Sequence, residues 1–280
     1  TMTAAQVDGL TSIASAASYI STGDIITLSD AMTAAMLDDT EIGASSVDEL
    51  VFVLADVASN ALTLVDATLG NASDVLYING AALTGTNALT FDGSDESDAA
   101  ALTIVGGAAV DTITGGAGAD TITGGAGADL LNGGAGADTF VVTTTSTAAP
   151  SATVFDTITG FATASDKIDY AVNLSIVTDS SSAAAGKGQS SSAGLVAFHS
   201  DDDTLAERII ATEASIQTGS AANGQVAMFD MGSDTFLFIS DGTDGVDAAD
   251  TLIKLVGIDT SASAFDTITL QSSGATMTLA

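Results

Sequence analysis

Short apolar bursts separated by turn-forming residues recur through the first half of the chain. LTLV begins at residue 62, VLYI at 75, LTF at 89 and LTIV at 102, so successive bursts begin 13 or 14 residues apart. Each burst is rich in residues that favour strands and is followed by residues that favour turns. The pattern predicts that residues 61–105 form the wide, glycine-poor rungs of a β-solenoid.

The spacing shortens to nine residues over positions 106–141, where the successive copies are GGAAVDTIT, GGAGADTIT, GGAGADLLN and GGAGADTFV. Glycine at the first, second and fourth positions permits a sharp turn with positive φ, and the large apolar residue at the eighth position points inward from a very short strand. Two such turn-and-strand units make a flattened coil of about 18 residues. The pattern therefore predicts a right-handed parallel β-roll within a mainly β fold.

Aspartate occupies the sixth position of every copy, at Asp111, Asp120, Asp129 and Asp138. Stacked turns would hold these carboxylates at about the 4.8 Å spacing of neighbouring strands, where like charges repel. One inward residue per strand is also too thin a core to offset the chain entropy. Ca²⁺, which takes about six to eight oxygen ligands, would resolve both problems, so calcium binding and folding are expected to be one event. A flexible Gly/Ala linker would have no reason to place Asp and a large apolar residue at this period.

The repeat resembles the RTX nonapeptide repeats of proteins that Gram-negative bacteria export by type I secretion. That resemblance implies a calcium ion between turns on the same side of the roll, so that Asp111 acts with Asp129 and Asp120 with Asp138. The first copy departs from the pattern, because Ala109 stands where the third glycine is expected. The resemblance also implies backbone carbonyl ligands from Gly106, Ala108, Gly115, Ala117, Gly118, Gly124, Ala126, Gly127, Gly133 and Gly136.

A group of acidic residues lies in the last wide turn before the repeats, at Asp92, Asp95, Glu96 and Asp98. Carboxylates gathered in one turn can hold a hard cation such as Ca²⁺. A solvated acidic turn explains the same residues equally well, and the sequence leaves both interpretations open.

Residues 1–60 have a different pattern, which predicts a small mixed or mainly helical unit. SVDE at 46–49 is a capping box, and apolar residues in the VFVLADVASNAL that soon follows keep helical spacing. Further helices are predicted from residue 3 and over 30–37, and DIITL at 24–28 predicts a strand between them. Nothing in this part of the sequence indicates chemistry.

Residues 143–280 predict a β-rich module that begins with a linker of Ser, Thr and Pro. VAMFDM, DTFLFIS, TLIKLVGI and FDTITL alternate in the manner of strands, and AERIIATEASI at 206–216 predicts a short helix. The aspartates of DGTDGVDAAD at 241–250 do not match an EF-hand loop, and a turn explains them as well as a metal does.

The segment DTITGFATASDKIDY, at 156–170, resembles the one that follows the repeats in many RTX proteins. The resemblance implies that Asp166 and Asp169 close a final calcium site; the alternative is a strand–turn–strand cap without metal. The end of the chain is also similar to the C-terminal modules of exported RTX and S-layer-type proteins. That similarity implies an uncleaved type I secretion signal in this module.

Charge and composition narrow the range of functions. The 280 residues include 4 Lys and Arg against 36 Asp and Glu, a formal net charge of −32, and no Cys. Such a charge excludes nucleic acid and bare anionic lipid as partners, because both require cationic patches. The motifs of a zinc protease, H-E-x-x-H, and of a lipase, G-x-S-x-G, are absent, and the single histidine, His199, lies beside three aspartates. We therefore expect that the protein is not an enzyme.

Two non-catalytic hypotheses remain. LTFDGSDESDAAALTIVGG, which leads into the repeats, resembles bacterial S-layer sequences. It implies a structural cell-surface protein, an S-layer subunit or its C-terminal part, exported unfolded and then folded and assembled by extracellular calcium. Its expected partners are Ca²⁺, copies of itself in an oligomer or lattice bridged by calcium, the type I secretion machinery and a cell-surface polysaccharide.

The alternative is an RTX adhesin, or its exported C-terminal end, that binds a surface or a glycan. Threonine side chains in a regular row on the outside of a roll can match the spacing of a regular surface. The candidates flank the inward residues of the first two strands of the roll, at Thr112, Thr114, Thr121 and Thr123.

Overall fold

The structure is a computed structural model. It describes residues 24–27, 35–37, 50–64, 75–97, 99–143, 149–170, 175–176, 189–190, 196–198, 203–216, 224–243, 245–258, 268–272 and 275–279. The chain divides into two compact units, Thr1–Val141 and Val142–Ala280.

The first unit is a parallel β-solenoid with two sheets. Its described strands are β1 (Asp24–Thr27), β2 (Ala35–Leu37), β3 (Leu50–Val53), β4 (Asn60–Leu64), β5 (Val75–Asn79), β6 (Leu89–Asp92), β7 (Ala101–Val105), β8 (Thr112–Thr114), β9 (Thr121–Thr123), β10 (Leu130–Asn132) and β11 (Thr139–Val142). Each odd-numbered strand pairs in parallel with the next odd-numbered strand, from β1 to β11. The even-numbered strands from β2 to β10 pair in the same way in the second sheet. The predicted parallel β-roll is confirmed.

The solenoid narrows along the chain. In the wide coils, Leu50 pairs with Leu76 and Leu76 pairs with Leu102. In the narrow coils, Thr103 pairs with Thr121 and Thr121 pairs with Thr139, so that one coil is two nonapeptide repeats long. The predicted strands of the wide rungs are confirmed as β4 to β7, and the narrow coils coincide with the repeats.

Side chains alternate between the interior and the surface along these strands. β7 buries Leu102 and Ile104 and leaves its other residues partly exposed. The short strands β8 and β9 bury only their central residue, Ile113 or Ile122. The narrow-coil strands β8, β9 and β10 therefore each contribute one inward side chain, as the sequence predicts, whereas β11 buries Val142 in addition to Phe140.

The helix predicted to follow the capping box at 46–49 is wrong. Leu50–Val53 is strand β3, in which Phe52 is buried between partly exposed valines. Pairing with β1 on one side and β5 on the other overrides the local helix signal. The helix predicted over 30–37 is also wrong where the structure describes it, because Ala35–Leu37 is strand β2. The strand predicted at 24–28 is confirmed as β1, while the helix predicted from residue 3 lies outside the described residues.

The solenoid therefore begins well before residue 61. β1 and β3 share a parallel sheet with the later rungs, and the first unit runs from Thr1 to Val141. The described strands of residues 1–60 thus belong to the solenoid, because β2 pairs with β4 and β3 pairs with β5 in the next coil, while the predicted boundary at residue 60 stays a prediction for the rest of the segment.

The second unit contains the remaining described elements. They are β12 (Asp156–Thr159), β13 (Lys167–Tyr170), β14 (Ser175–Ile176), β15 (Gln189–Ser190), β16 (Val196–Ala197), α1 (Leu205–Ile216), β17 (Gln225–Met231), β18 (Asp234–Ser240), β19 (Thr251–Leu255), β20 (Ile268–Ser272) and β21 (Ala275–Leu279). β17, β18 and β19 form an antiparallel meander, flanked by β14 and β12 in parallel. β13 pairs in parallel with β20, which pairs antiparallel with β21, and β15 pairs antiparallel with β16.

The predicted helix at 206–216 is confirmed as α1, and it packs on the meander. Thr204 and Glu207 cap its first turn reciprocally: the Glu207 amide donates to Thr204 Oγ1 at 3.3 Å, and the Thr204 amide donates to Glu207 Oε2 at 2.9 Å. Buried Ile209 and Ile216 lie in one core with Phe229 and Phe238 of the meander. Within the described residues, no helix has the length and apolar character needed to cross a membrane.

We expect Phe91→Ala to destabilise the calcium-saturated protein by about 3–5 kcal/mol, because the ring is 1% exposed inside β6 and its removal leaves a cavity. Val57→Ala is the matched control, since Val57 is 61% exposed in a turn of the same unit. Denaturant unfolding in excess calcium measures both variants. Equal free energies of unfolding for the two would contradict the described interior.

Candidate metal centre

The turns of the solenoid form two stacks, because successive strands alternate between the two sheets. Backbone hydrogen bonds define each stack: the amide of Ala126 donates to the carbonyl of Gly107 at 2.9 Å, and the amide of Ala135 donates to the carbonyl of Gly116 at 2.9 Å. We call turns 80–88, 106–111 and 124–129 the first stack. We call turns 93–100, 115–120 and 133–138 the second stack.

The four repeat aspartates are buried at the end of these turns. Asp111 is 0% exposed, and Asp120, Asp129 and Asp138 are each 1% exposed. Each aspartate directly precedes the strand that follows its turn. This position lets a carboxylate face both its own turn and the neighbouring turn of the same stack.

Hydrogen bonds hold the carboxylates in that orientation. The amides of Gly107 and Gly116 donate to Oδ2 of Asp111 and Asp120 at 2.6 and 2.7 Å within the same turn. The amide of Asp111 donates to Asp129 Oδ1 at 2.8 Å, two turns further along the chain. The amide of Asp120 donates to Asp138 Oδ1 at 2.9 Å in the same way.

The structure thus places Asp111 against Asp129 and Asp120 against Asp138. These are the pairs that the resemblance to RTX repeats implies in each stack. Their role as calcium ligands stays a prediction.

The first glycine of each repeat makes room for oxygen atoms. A Cβ at Gly106 would overlap the carbonyl oxygen of Gly124 and the carboxylate of Asp111. A Cβ at Gly115 would overlap the carbonyl oxygen of Gly133 and the carboxylate of Asp120. Carbonyl and carboxylate oxygens therefore converge in both stacks, and oxygen is the donor that Ca²⁺ prefers. The residues present fit a calcium ion.

Positive φ is required only in part of the repeat. In the last turn of the first stack, Gly125 and Gly127 have φ of 103° and 144°. The first glycine of each repeat lies outside the positive-φ region, so the prediction of positive φ at that position is wrong. Glycine is needed there for space rather than for backbone conformation, because the oxygens of the neighbouring turn lie where a Cβ would be.

No basic side chain from the first unit can neutralise these carboxylates. The Lys and Arg residues of the chain are Lys167, Lys187, Arg208 and Lys254, and the single histidine is His199. Residues 1–166 therefore contain no Lys, Arg or His. Burying carboxylates without a positive charge is costly, and a divalent cation held by the same oxygens offsets that cost.

The electrostatics of the carboxyl groups reflect this missing charge. The pKa of Asp120 is raised to about 7, chiefly by burial: amide hydrogen bonds from Gly116 and Leu102 oppose the rise, and the negative charges of Asp138 and Glu96 add to it. Burial also raises the pKa of Asp111, against the amide hydrogen bonds from Leu89 and Gly107. Without a cation, burial thus shifts Asp111 and Asp120 toward their protonated forms by raising their pKa values.

The remaining predicted ligands are distributed unevenly. The predicted carbonyl donors, from Gly106 to Gly136, all lie in the two stacks, and their coordination of calcium stays a prediction.

Asp166 is 2% exposed and accepts a 2.8 Å hydrogen bond from the amide of Ala162, four residues earlier. The repeat aspartates Asp111 and Asp120 accept the same kind of hydrogen bond in their turns. Asp169 lies in β13 between buried Ile168 and Tyr170, so alternation places it on the opposite face from those two side chains. The final calcium site of Asp166 and Asp169 stays a prediction.

One acidic group that the sequence analysis did not count as a site is compact in the structure. Asp241, Asp247 and Asp250 each have a carboxylate oxygen within 4.8 Å of the others. Asp250 accepts hydrogen bonds from the amides of Asp241 and Asp247, both at 2.9 Å. Asp241 and Asp247 also accept from the Thr243 hydroxyl. These hydrogen bonds account for the group as a turn before β19.

Comparison with known families agrees with the geometry of the two stacks. Residues 105–140 match the family model of the RTX calcium-binding nonapeptide repeat, in four copies. The chain carries an RTX calcium-binding repeat region. RTX nonapeptide repeats bind Ca²⁺, so calcium is the cofactor of this region. Proteins with RTX repeats are typically secreted and extracellular.

No curated protein matches the chain. The match to the RTX repeat indicates no enzyme family, and the expected absence of catalysis stays a prediction. His199 lies outside the described residues.

We expect Gly124→Ala to raise the calcium concentration needed for folding by about tenfold or more, because the added Cβ would overlap the Asp129 carboxylate and turn it away from the RTX site. Gly85→Ala is the control: Gly85 has φ of 63° with nothing within 4 Å of its Cβ position, so it should cost about 1 kcal/mol of backbone strain. Circular dichroism during calcium titration compares the midpoints. A larger shift for Gly85→Ala than for Gly124→Ala would contradict the oxygen cradle.

Calcium affinity should fall as the pH falls through 7. Asp120, with its pKa raised from 3.8 to about 7, must lose a proton before it can bind calcium. The apparent affinity of its site should therefore decrease about tenfold between pH 8 and pH 6, with proton release on binding. In the calcium-free protein, lowering the pH has the opposite effect on stability. The folded state binds more protons than the unfolded state between about pH 4 and 7, so the free energy of unfolding increases as the pH falls through this range.

Calorimetric titration in buffers of different ionisation enthalpy measures both the affinity and the protons released. Asp120→Asn serves as the control, because it should weaken binding and also remove most of this pH dependence. An affinity that is constant from pH 6 to pH 8 would contradict the raised pKa of Asp120.

Proposed function

We propose that the protein is a calcium-dependent structural protein of the cell surface, an S-layer subunit or the C-terminal part of one. The observation that carries the proposal is the set of buried carboxylates in a unit without Lys, Arg or His. Such a unit depends on an external cation to fold. A chain of this kind stays unfolded where calcium is scarce and folds where calcium is abundant.

Export and folding follow from the same dependence. In a calcium-poor cytoplasm the repeats would remain unfolded and could pass through a type I exporter, guided by a signal in the second unit. Outside the cell, calcium in the range of about 10⁻⁴ to 10⁻³ M matches the affinity of extracellular calcium modules. Folding would then occur after translocation, at the place where the protein acts.

Assembly requires that acidic surfaces approach one another. At a net charge of −32, copies of the chain repel, and divalent cations between subunits would remove that repulsion. Asp92 and Asp95 are exposed in a turn next to the repeats, where they are available for bridging. A cell-surface polysaccharide remains a candidate partner for anchoring the layer.

The adhesin hypothesis is supported less well. Thr112 and Thr114 lie in β8 and Thr121 and Thr123 lie in β9, and these two strands belong to different sheets. The four threonines therefore do not share one flat face. A row of threonines does exist on neighbouring strands of the odd-numbered sheet, where Thr103, Thr121 and Thr139 are paired and partly exposed. This shorter row of threonines is the surface that an adhesin would use.

Light scattering of the calcium-free chain during a calcium titration tests the proposal. We expect contraction to a compact monomer, followed by growth into very large particles as calcium bridges the acidic surfaces. Magnesium at the same concentrations is the control, because Mg²⁺ dehydrates reluctantly and demands a regular octahedral site. Contraction without growth would contradict assembly, and no change at millimolar calcium would contradict calcium-driven folding itself.

A further inference from the structure

The two stacks begin with turns of the same backbone geometry. In the first stack, the amide of Leu83 donates to the carbonyl of Gly80 at 2.8 Å; in the second, the amide of Glu96 donates to the carbonyl of Gly93 at 2.9 Å. The repeats then pair with these turns in the same way. The amide of Ala108 donates to the Leu83 carbonyl at 3.0 Å, and the amide of Ala117 donates to the Glu96 carbonyl at 3.1 Å. Leu83 and Glu96 therefore hold equivalent positions.

Both side chains are buried against the first repeat turn of their stack. Leu83 is 0% exposed, and a Cβ at Gly107 would lie 2.7 Å from the Leu83 Cβ. Glu96 is 1% exposed, and a Cβ at Gly116 would lie 3.1 Å from the Glu96 Cβ. Leucine is the residue that burial favours at such a position, whereas a carboxylate is among the least favoured.

The surroundings of Glu96 increase the energetic cost of burying a carboxylate at this position. The Glu96 side chain lies against Gly116, whose amide donates to Asp120 Oδ2 at 2.7 Å, and the Asp120 amide donates in turn to Asp138 Oδ1 at 2.9 Å. Residues 1–166 contain no Lys, Arg or His that could balance three buried acidic groups. Carboxylates that are buried together without a basic group are stable as anions only if a cation joins them.

The two other described acidic residues near Glu96, Asp92 and Asp95, do not share this orientation. Asp92 is exposed and accepts hydrogen bonds from the amide and hydroxyl of Ser94, at 3.1 and 2.7 Å, as a turn residue does. Asp95 is exposed as well. Among the described acidic residues of this turn, only Glu96 is directed into the protein. The structure thus separates one inward carboxylate from a solvated acidic turn.

We propose that Glu96, which lies outside the residues that match the RTX repeat, holds an additional calcium ion together with Asp120 where the second stack begins. Glu96 supplies a carboxylate oxygen from a turn that lacks the repeat motif, and carbonyl oxygens of the adjacent turns complete the ligand set. The first stack has no equivalent ion, because Leu83 fills that position with an apolar side chain. The two stacks would therefore bind unequal numbers of ions. This inference rests on calcium binding by the repeats and not on assembly at the cell surface.

Equilibrium dialysis of the full chain with radioactive calcium tests this inference. We expect Glu96→Gln to bind one calcium ion fewer per chain, or to bind that ion at least about tenfold more weakly. Glu96→Leu, which gives the second stack the side chain that the first stack has, should lose the ion completely and retain the others. Asp95→Asn is the matched control, because it removes the same charge from an exposed neighbour and should bind the wild-type number.

The possible results are distinguishable. An unchanged number of ions and an unchanged affinity in both Glu96 variants would overturn the proposal and leave Glu96 as a buried acid. If Glu96→Leu fails to fold, the number of calcium ions bound by Glu96→Gln tests the proposal instead, because glutamine keeps the shape of the side chain. A wild-type chain that binds no calcium would instead contradict calcium binding by the repeats, which the additional site requires.

Discussion

Repulsion between buried carboxylates is the constraint on which the RTX region depends. Asp111, Asp120, Asp129 and Asp138 lie in the interior of tight turns, and the amides that hold them also fix them next to one another. The glycines are part of the same arrangement, because their missing side chains leave space for the oxygens of the next turn. We propose that calcium removes the repulsion and uses the same oxygens as ligands, so that metal binding and turn geometry form one energetic unit.

The change in coil width shows where the metal is needed. A strand of a wide coil, such as β5 or β7, buries two large apolar residues. A strand of a narrow coil, such as β8 or β9, buries one. Apolar burial per strand therefore decreases toward the repeats, and metal coordination replaces it there. The wide coils provide an apolar end on which the calcium-dependent coils can stack.

The second unit has a more usual set of interactions. Its meander and helix share an aromatic and aliphatic core, and Lys254 pairs with Asp234 at 2.8 Å. Arg208 donates a 2.6 Å hydrogen bond to the Asp230 carbonyl and lies over the Phe198 ring. All the Lys and Arg residues of the chain belong to this unit, so it has positive charges that the solenoid lacks. A calcium requirement is therefore expected chiefly in the first unit.

The sequence by itself determined the repeat region. The period of the nonapeptide specifies the strands β8 to β11, their inward residues and the buried aspartates, because the repeats place their aspartate and large apolar residue at the same positions of each copy. Tertiary structure decided the rest. The capping box at 46–49 is a local helix signal, and strand partners in the neighbouring coils override it at β3. Glu96 lies in an acidic turn that looks solvated in the sequence, and it is buried because the next coil covers it. Which side chain faces a neighbouring coil depends on register, which no local pattern contains.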